Sequence, residues 1–270
     1  MSRTLFIGDS HSMGYVGHNS EAGGFDVWQE NNYAEIFSAE NNKPVVIMAS
    51  SGCGNREYVN FLAHAFKLYD DIDEVFIQST YWGRFPLAIN PELDEKTTFP
   101  LDFFIEQNSN DDKIHRFSIG LVQQDKYLQA YAKPDFKIPY DLNTSPGRQP
   151  IITRMSYMYV QTYHYLQTHL EQQDYFKDIL LCDTLCQRNN VKMTLWNIND
   201  RCYIPKETAN FYTNLVSTTI TNIDAISYIK DNFQIDLENE KVDIEHYNKH
   251  AHTHIARYFM PYLRRLHERN

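Results

Sequence analysis

Residues 3–10 read Arg3-Thr4-Leu5-Phe6-Ile7-Gly8-Asp9-Ser10, and His11 and Ser12 follow at once. A short apolar strand runs without a spacer into a glycine, an acid and a serine. In open α/β sheets, ligands collect beyond the carboxyl ends of the strands. A bare serine there is either part of an ordinary glycine-containing turn or a nucleophile. The second reading needs a parallel sheet around this strand and a base that can reach the hydroxyl.

The next 70 or so residues have the pattern of such a sheet. Residues 26–40 carry helical spacing through Trp28, Tyr33, Ile36 and Phe37. Pro44 opens PVVIMAS, a continuous apolar run of buried-strand length, and SSGCGN (50–55) follows as a tight turn. NREYVNFLAHAFKLY (55–69) reads as a helix, with Asn55 as N-cap and Glu57 in its first turn. EVFIQ (74–78) is the next strand. Strand, helix, strand, helix, strand predicts a parallel sheet with helices on both faces. The expected fold class is therefore α/β: a three-layer α/β/α sandwich with a mostly parallel central sheet and flavodoxin-like layering.

Regularity then fails. Seven of the ten prolines lie between Pro86 and Pro150, together with NSNDD, LDEK and NTSPG. One short helix is expected near FPLDFFIEQ (99–107). The expectation is one domain over 1–270 with an irregular insertion at about 85–150, read as a lid, a substrate cap or a decoration. Two helices are expected over 152–189, with Tyr159, Tyr163, Leu166 and Leu170 on one face of the first. VKMTLWNIN (191–199) is a late buried strand, and TANFYTNLVSTTI (208–220) a helix candidate. A strong helix is expected from about Asn248 to Leu266, weakened locally at Pro261.

That last helix is preceded by the candidate base. Asp243 and His246 stand three apart. The spacing lets a carboxylate take the Nδ1 proton of the imidazole, fix its tautomer and leave Nε2 to accept a proton from a hydroxyl. A serine alone is a poor nucleophile and needs this help. His246, His250 and His254 recur every four residues, and histidines one turn apart can ligate zinc. HExxH is absent and no further carboxylate ligand is obvious, so no metal is expected in the chemistry. Nor is there a GxSxG elbow, a P-loop or a GxGxxG fingerprint.

Composition narrows the partners. The net charge is −10, a poor match for phosphate backbones, so no nucleic acid is expected. No apolar stretch is long enough to span a bilayer, and the first residues lack a signal-peptide pattern. The expectation is a cytoplasmic protein with no membrane partner, or a phage-encoded one released on lysis. The 19 Tyr and 16 Phe suit a site that handles sugar rings, and equally an aromatic core. Four cysteines are too few for a disulfide scaffold at this length.

In these blocks the chain resembles the GDSL-type hydrolases of the SGNH superfamily. Gly8-Asp9-Ser10 matches the first family block, and Asp243-Ile244-Glu245-His246 the last, which carries DxxH and runs on into the final helix. The resemblance covers residues 1–84 and about 190–260. It implies Ser10 as nucleophile, His246 as general base and then acid, and Asp243 as the group that orients His246. It implies oxyanion support from the backbone N–H groups of Ser10 and Gly52, with Gly54 an alternative to Gly52. The third block, usually GxND, departs from the pattern: Ser79-Thr80-Tyr81-Trp82-Gly83-Arg84 stands there, without the asparagine. The amide of Asn55 or the hydroxyl of Thr80 is the expected replacement. Arg84 is expected to bind an anionic substrate group, or to form a surface salt bridge.

The implied reaction is hydrolysis of a small acyl ester, such as an acetyl group on a carbohydrate, with no cofactor. Two alternatives stay open at this point. One is an acyltransferase to a sugar hydroxyl through the same triad. The other is an inactive glycan-binding module that grips its ligand with Tyr81, Trp82 and the aromatic insertion. Oligomeric state is not legible.

Overall fold

A computed structural model describes residues 2–19, 25–28, 32–49, 53–55, 57–80, 84–88, 104–107, 111–119, 127–131, 175–199, 218–221, 223–241 and 246–269. The strands are β1 (Arg3–Gly8), β2 (Tyr15–Asn19), β3 (Phe25–Trp28), β4 (Val45–Ala49), β5 (Ile72–Gln78), β6 (Arg84–Ala88), β7 (Phe104–Gln107), β8 (Ile114–Ile119), β9 (Tyr127–Tyr131), β10 (Lys192–Trp196) and β11 (Thr218–Ile220). The helices are α1 (Ser10–Met13), α2 (Tyr33–Asn41), α3 (Glu57–Leu68), α4 (175–188), α5 (Ala225–Phe233), α6 (Lys249–His254) and α7 (Met260–Arg269).

One seven-stranded sheet has the order β11-β10-β5-β1-β4-β8-β7. Every pairing from β11 to β8 is parallel, and β7 closes one edge antiparallel to β8. After β1 the chain crosses to β4 on one side and then to β5 on the other. The carboxyl end of β1 is therefore the topological switch point, where two crossovers diverge and leave a crevice.

The strands are apolar on both faces because both faces are covered. Leu5 and Ile7 of β1, Val46 and Met48 of β4, and Val75 and Ile77 of β5 pack against α3 and α4 through Tyr58, Phe61, Ile179 and Cys182. Phe6, Val45, Ile47 and Phe76 face the other way, toward α2, α5 and the C-terminal helix, meeting Phe37, Ile229, Ala251 and Phe259. Each fully buried side chain of this kind contributes about 1.5–3 kcal/mol. The two clusters make the expected three-layer α/β/α sandwich.

Several local expectations are corrected. Residues 25–28 are not helical: Phe25–Trp28 pairs antiparallel with Tyr15–Asn19. Helix α2 starts only at Tyr33, because Asn32 and Glu35 form a capping box there. The helix expected near 99–107 is instead edge strand β7, since an antiparallel partner in β8 decides its state. Within the stretch 85–150, β8 is an interior strand of the sheet, parallel to β4, so that segment is not merely irregular. The tail of the helix candidate at 208–220 is strand: the β-branched run Thr218-Thr219-Ile220 pairs with β10. Over 152–189, helix α4 occupies 175–188, while Tyr159, Tyr163, Leu166 and Leu170 lie outside the described residues. The C-terminal helix is interrupted by a π-helical turn, Ile255–Phe259, that ends two residues before Pro261, which has no N–H to continue an ordinary ladder.

Candidate active site

Gly8 ends β1 and has no room for a side chain. A Cβ there would lie 1.8 Å from Ser12 Oγ and 2.8 Å from Ser12 Cβ. The chain then turns at once into α1, a single helical turn. Asp9 is its N-cap, its Oδ1 accepting the His11 N–H at 3.0 Å. Gly14 closes the turn in the left-handed region at φ 85°. Ser10 is thus the first residue of a short helix that starts at the switch point, and its own N–H is one of the donors that a helix start leaves without an intrahelical acceptor.

Ser10 Oγ lies 2.9 Å from His246 Nε2, across 236 residues of chain. His246 stands just before α6, whose N-cap Asn248 accepts the N–H groups of His250 and Ala251. The His11 ring sits beside this pair, 5.1 Å from the His246 ring and 5.9 Å from that of Tyr247. The structure brings Ser10 and His246 together at hydrogen-bond distance, as proton transfer between them requires. Asp243 lies outside the described residues, as does Gly52.

The other expected oxyanion donors are engaged. The Gly54 N–H donates to Glu57 Oε2 at 2.9 Å, capping α3. Asn55 clasps the backbone of Thr80: its Nδ2 donates to the Thr80 carbonyl at 3.1 Å and its Oδ1 accepts the Thr80 N–H at 3.1 Å. One Asn55 amide hydrogen is left over by those bonds. The Thr80 hydroxyl donates to Asp9 Oδ2 at 2.8 Å. Thr80 therefore ties the end of β5 to the turn that carries Ser10. For Arg84 the backbone alone is described, in a ribbon of β6 with β9.

Sequence reasoning missed a buried polar layer beneath Ser10. Asp9 Oδ1 also accepts Gln78 Nε2 at 2.9 Å. Gln78 Oε1 accepts the Ser12 hydroxyl at 2.9 Å and the Tyr33 hydroxyl at 3.1 Å. Burial pushes the Tyr33 phenol well above its ordinary range, so it stays a neutral donor. The Tyr33 ring stacks on His252, 5.6 Å away, and the Tyr33 N–H donates to His252 Nδ1 at 3.3 Å. Burial, with His11 and His246 nearby, pushes His252 down to about 3, so it is a neutral imidazole protonated on Nε2. One signal was available: Gln78 is a polar residue ending an otherwise apolar strand. Nothing in the sequence marked Tyr33 or His252 as its companions.

No family model and no curated protein matches this chain. Two solved structures are distantly similar to it. One is an acetyl xylan esterase (Est2A) from the rumen bacterium Butyrivibrio proteoclasticus, with TM-score 0.47 and 11% identity over 98% of this chain and 64% of that one. The other is a carbohydrate esterase whose active site is described as displaying divergent catalytic and non-catalytic binding functions, with TM-score 0.44 and 13% identity over 98% of this chain and 65% of that one. This chain spans less than two thirds of either. Likeness this distant assigns no activity.

Among the described residues no helix is long and apolar enough to cross a membrane. Nor does any group of three or more His, Cys, Asp or Glu among them make a metal cluster. What the site can do chemically is move a proton between a hydroxyl and an imidazole.

Proposed function

We propose that this chain is a serine esterase that removes a small acyl group, acetyl foremost, from a carbohydrate hydroxyl. The 2.9 Å contact of Ser10 Oγ with His246 Nε2, at the switch point of the sheet, carries this reading. Ser10 Oγ attacks the ester carbonyl carbon and gives its proton to His246 Nε2. The tetrahedral intermediate collapses, and the imidazolium hands that proton to the leaving sugar oxygen. A water molecule then attacks the acyl-serine, with His246 again the base, and the free acid departs. Asp243 holds the Nδ1 proton. The N–H groups of Ser10 and Gly52 take the oxyanion, with the second Asn55 amide hydrogen as third donor in place of the absent third-block asparagine. Each such donor is worth about 10²–10³ in rate. Tyr81 and Trp82, which follow Thr80 in sequence, are assigned to stacking on a sugar ring. Arg84 is assigned to an anionic group on the substrate.

The first test is intact-protein mass spectrometry after exposure to a fluorophosphonate probe, with wild type beside Ser10→Ala. The expected result is one adduct, absent in the mutant, followed by turnover of acetylated glycans or short-chain esters. A folded wild type that takes no adduct overturns the reading. A second reading, a glycan-binding module on the same scaffold, is favoured by one observation. The Gly54 N–H and the Thr80 hydroxyl are already committed to Glu57 and Asp9. Saturable glycan binding without labelling or turnover would select it.

A further inference from the structure

The four-residue histidine repeat is not absorbed by the esterase reading. Its first member, His246, faces Ser10. The other two share the outer face of α6, while His252 between them is buried against Tyr33. His250 Nε2 and His254 Nε2 lie 3.1 Å apart, with the ring centroids 4.4 Å apart and the planes at 73°. Both rings are held from behind. His250 Nδ1 lies 3.1 Å from Glu240 Oε1. The His254 ring stacks on Tyr258 at 5.5 Å with an interplanar angle of 13°.

We infer that His250 and His254 form a two-imidazole site for a borderline divalent cation of the Zn²⁺, Ni²⁺ or Cu²⁺ class, its remaining positions filled by water. Two nitrogens bound at about 2.0–2.1 Å to one ion lie roughly 2.9–3.4 Å apart for angles between octahedral and tetrahedral. The observed separation falls within that span. Glu240 supplies what an exposed histidine pair ordinarily lacks. By accepting the Nδ1 proton of His250 it fixes the tautomer that leaves Nε2 bare, as carboxylates do behind metal-bound imidazoles. In the metal-free pair His254 Nε2–H donates to His250 Nε2. Binding moves that proton to His254 Nδ1, a buried atom without a hydrogen-bond partner, and the unpaired donor lowers the affinity for the ion. Imidazole ligands favour these ions over Mg²⁺ and Ca²⁺.

Glu240 also links the site to the turn that carries His246. Asn248 Nδ2 donates to Glu240 Oε2 at 2.6 Å, and the Asn248 N–H donates to the Glu240 carbonyl at 2.8 Å. An ion on His250 and His254 therefore staples the first turn of α6 against the Leu237–Glu240 segment and stabilises the fold by mass action.

The test uses tag-free, full-length protein titrated with Ni²⁺ and with Zn²⁺ by calorimetry, with Mg²⁺ as control. Melting curves and imidazole nitrogen NMR are recorded on the same samples. One ion per chain is expected, with a rise in melting temperature and with the His250 and His254 Nε2 resonances the ones that move. His254→Ala should weaken binding by more than the roughly 10-fold that loss of an outer-shell partner alone costs. Glu240→Gln should weaken it by about 10-fold. The inference is overturned if no ion binds, if Mg²⁺ binds equally, if His254→Ala binds as tightly as wild type, or if His11 and His246 resonances shift instead. Serine labelling plays no part in these readouts, so this site and the esterase reading fail separately.

Discussion

The strands β1 and β5 carry a polar cluster at each end, and the two are built differently. At the amino ends, Thr4 Oγ1 donates to Glu74 Oε1 at 2.6 Å, and Lys43 Nζ reaches both Glu74 and Asp73 at 2.7 Å. Arg3 pairs with Asp71 and stacks over Tyr69. There, carboxylates meet ammonium and guanidinium groups, at the surface for Asp71 and Asp73 and out of water for Glu74. At the carboxyl ends, one buried carboxylate, Asp9, takes a backbone amide, a glutamine amide and a threonine hydroxyl. The first cluster mixes charges, and its outer pairs, Arg3–Asp71 and Lys43–Asp73, are of the exposed kind that contribute little each. The second orients groups in fixed directions around Ser10. A polar network in the interior is costly when left half satisfied, and rigid when complete.

Breaking the carboxyl end should cost most. Asp9→Ala removes a helix cap and strands the Gln78 amide and the Thr80 hydroxyl, for a destabilisation of about 3 kcal/mol. Denaturant unfolding measures it, and serine labelling should fall with it because α1 loses its anchor. A variant of wild-type stability would show that the network is decoration.

The next effect is one of pH. The folded-state pKa of His252, about 3, lies below the unfolded value of 6.5. Below pH 6.5 the unfolded chain takes up this proton while the folded chain does not. Stability from this group is complete above pH 6.5 and is lost as pH falls toward 3. The loss reaches about 1.4 kcal/mol per pH unit. Melting curves between pH 7 and 5 should flatten in His252→Gln relative to wild type, and parallel curves would refute the buried neutral imidazole. The smallest effect belongs to the amino end. Glu74→Gln keeps the hydrogen bond from Thr4 and leaves Lys43 with Asp73, but removes the charge that Lys43 and Arg264 face, for about 1 kcal/mol. Activity and labelling should be unchanged, and a loss of either would erase the distinction between the two ends.

What was legible follows the range of the interactions involved. The alternation of β1, α2, β4, α3 and β5 was readable because burial on both faces writes continuous apolar runs into the strands. Ser10 and His246 were readable because each lies at the boundary of a strong element. The strand at Phe25–Trp28 was not, because its state depends on pairing with Tyr15–Asn19. Edge strand β7 and the end strand β11 were misread for the same reason: short segments with mixed propensity take the state of their partner. The stretch 85–150 concealed β8, whose turn-rich flanks hid an interior strand of the sheet.

The site divides the same way. Residue type and spacing determined that a serine ends the first strand and that a histidine with a nearby acid opens the last helix. They determined the α/β class too, since local periodicity sets which faces can be buried. Only the tertiary structure decided that Ser10 and His246 meet, that Asn55 and Thr80 clasp each other, and that Tyr33, Gln78 and His252 stand behind Ser10. It alone separated the three exposed-looking histidines of one repeat into one that faces Ser10 and two that face each other. Those are long-range choices of partner. A sequence records which groups are present at each place, whereas the partner of a buried donor is set by the packing of whole layers.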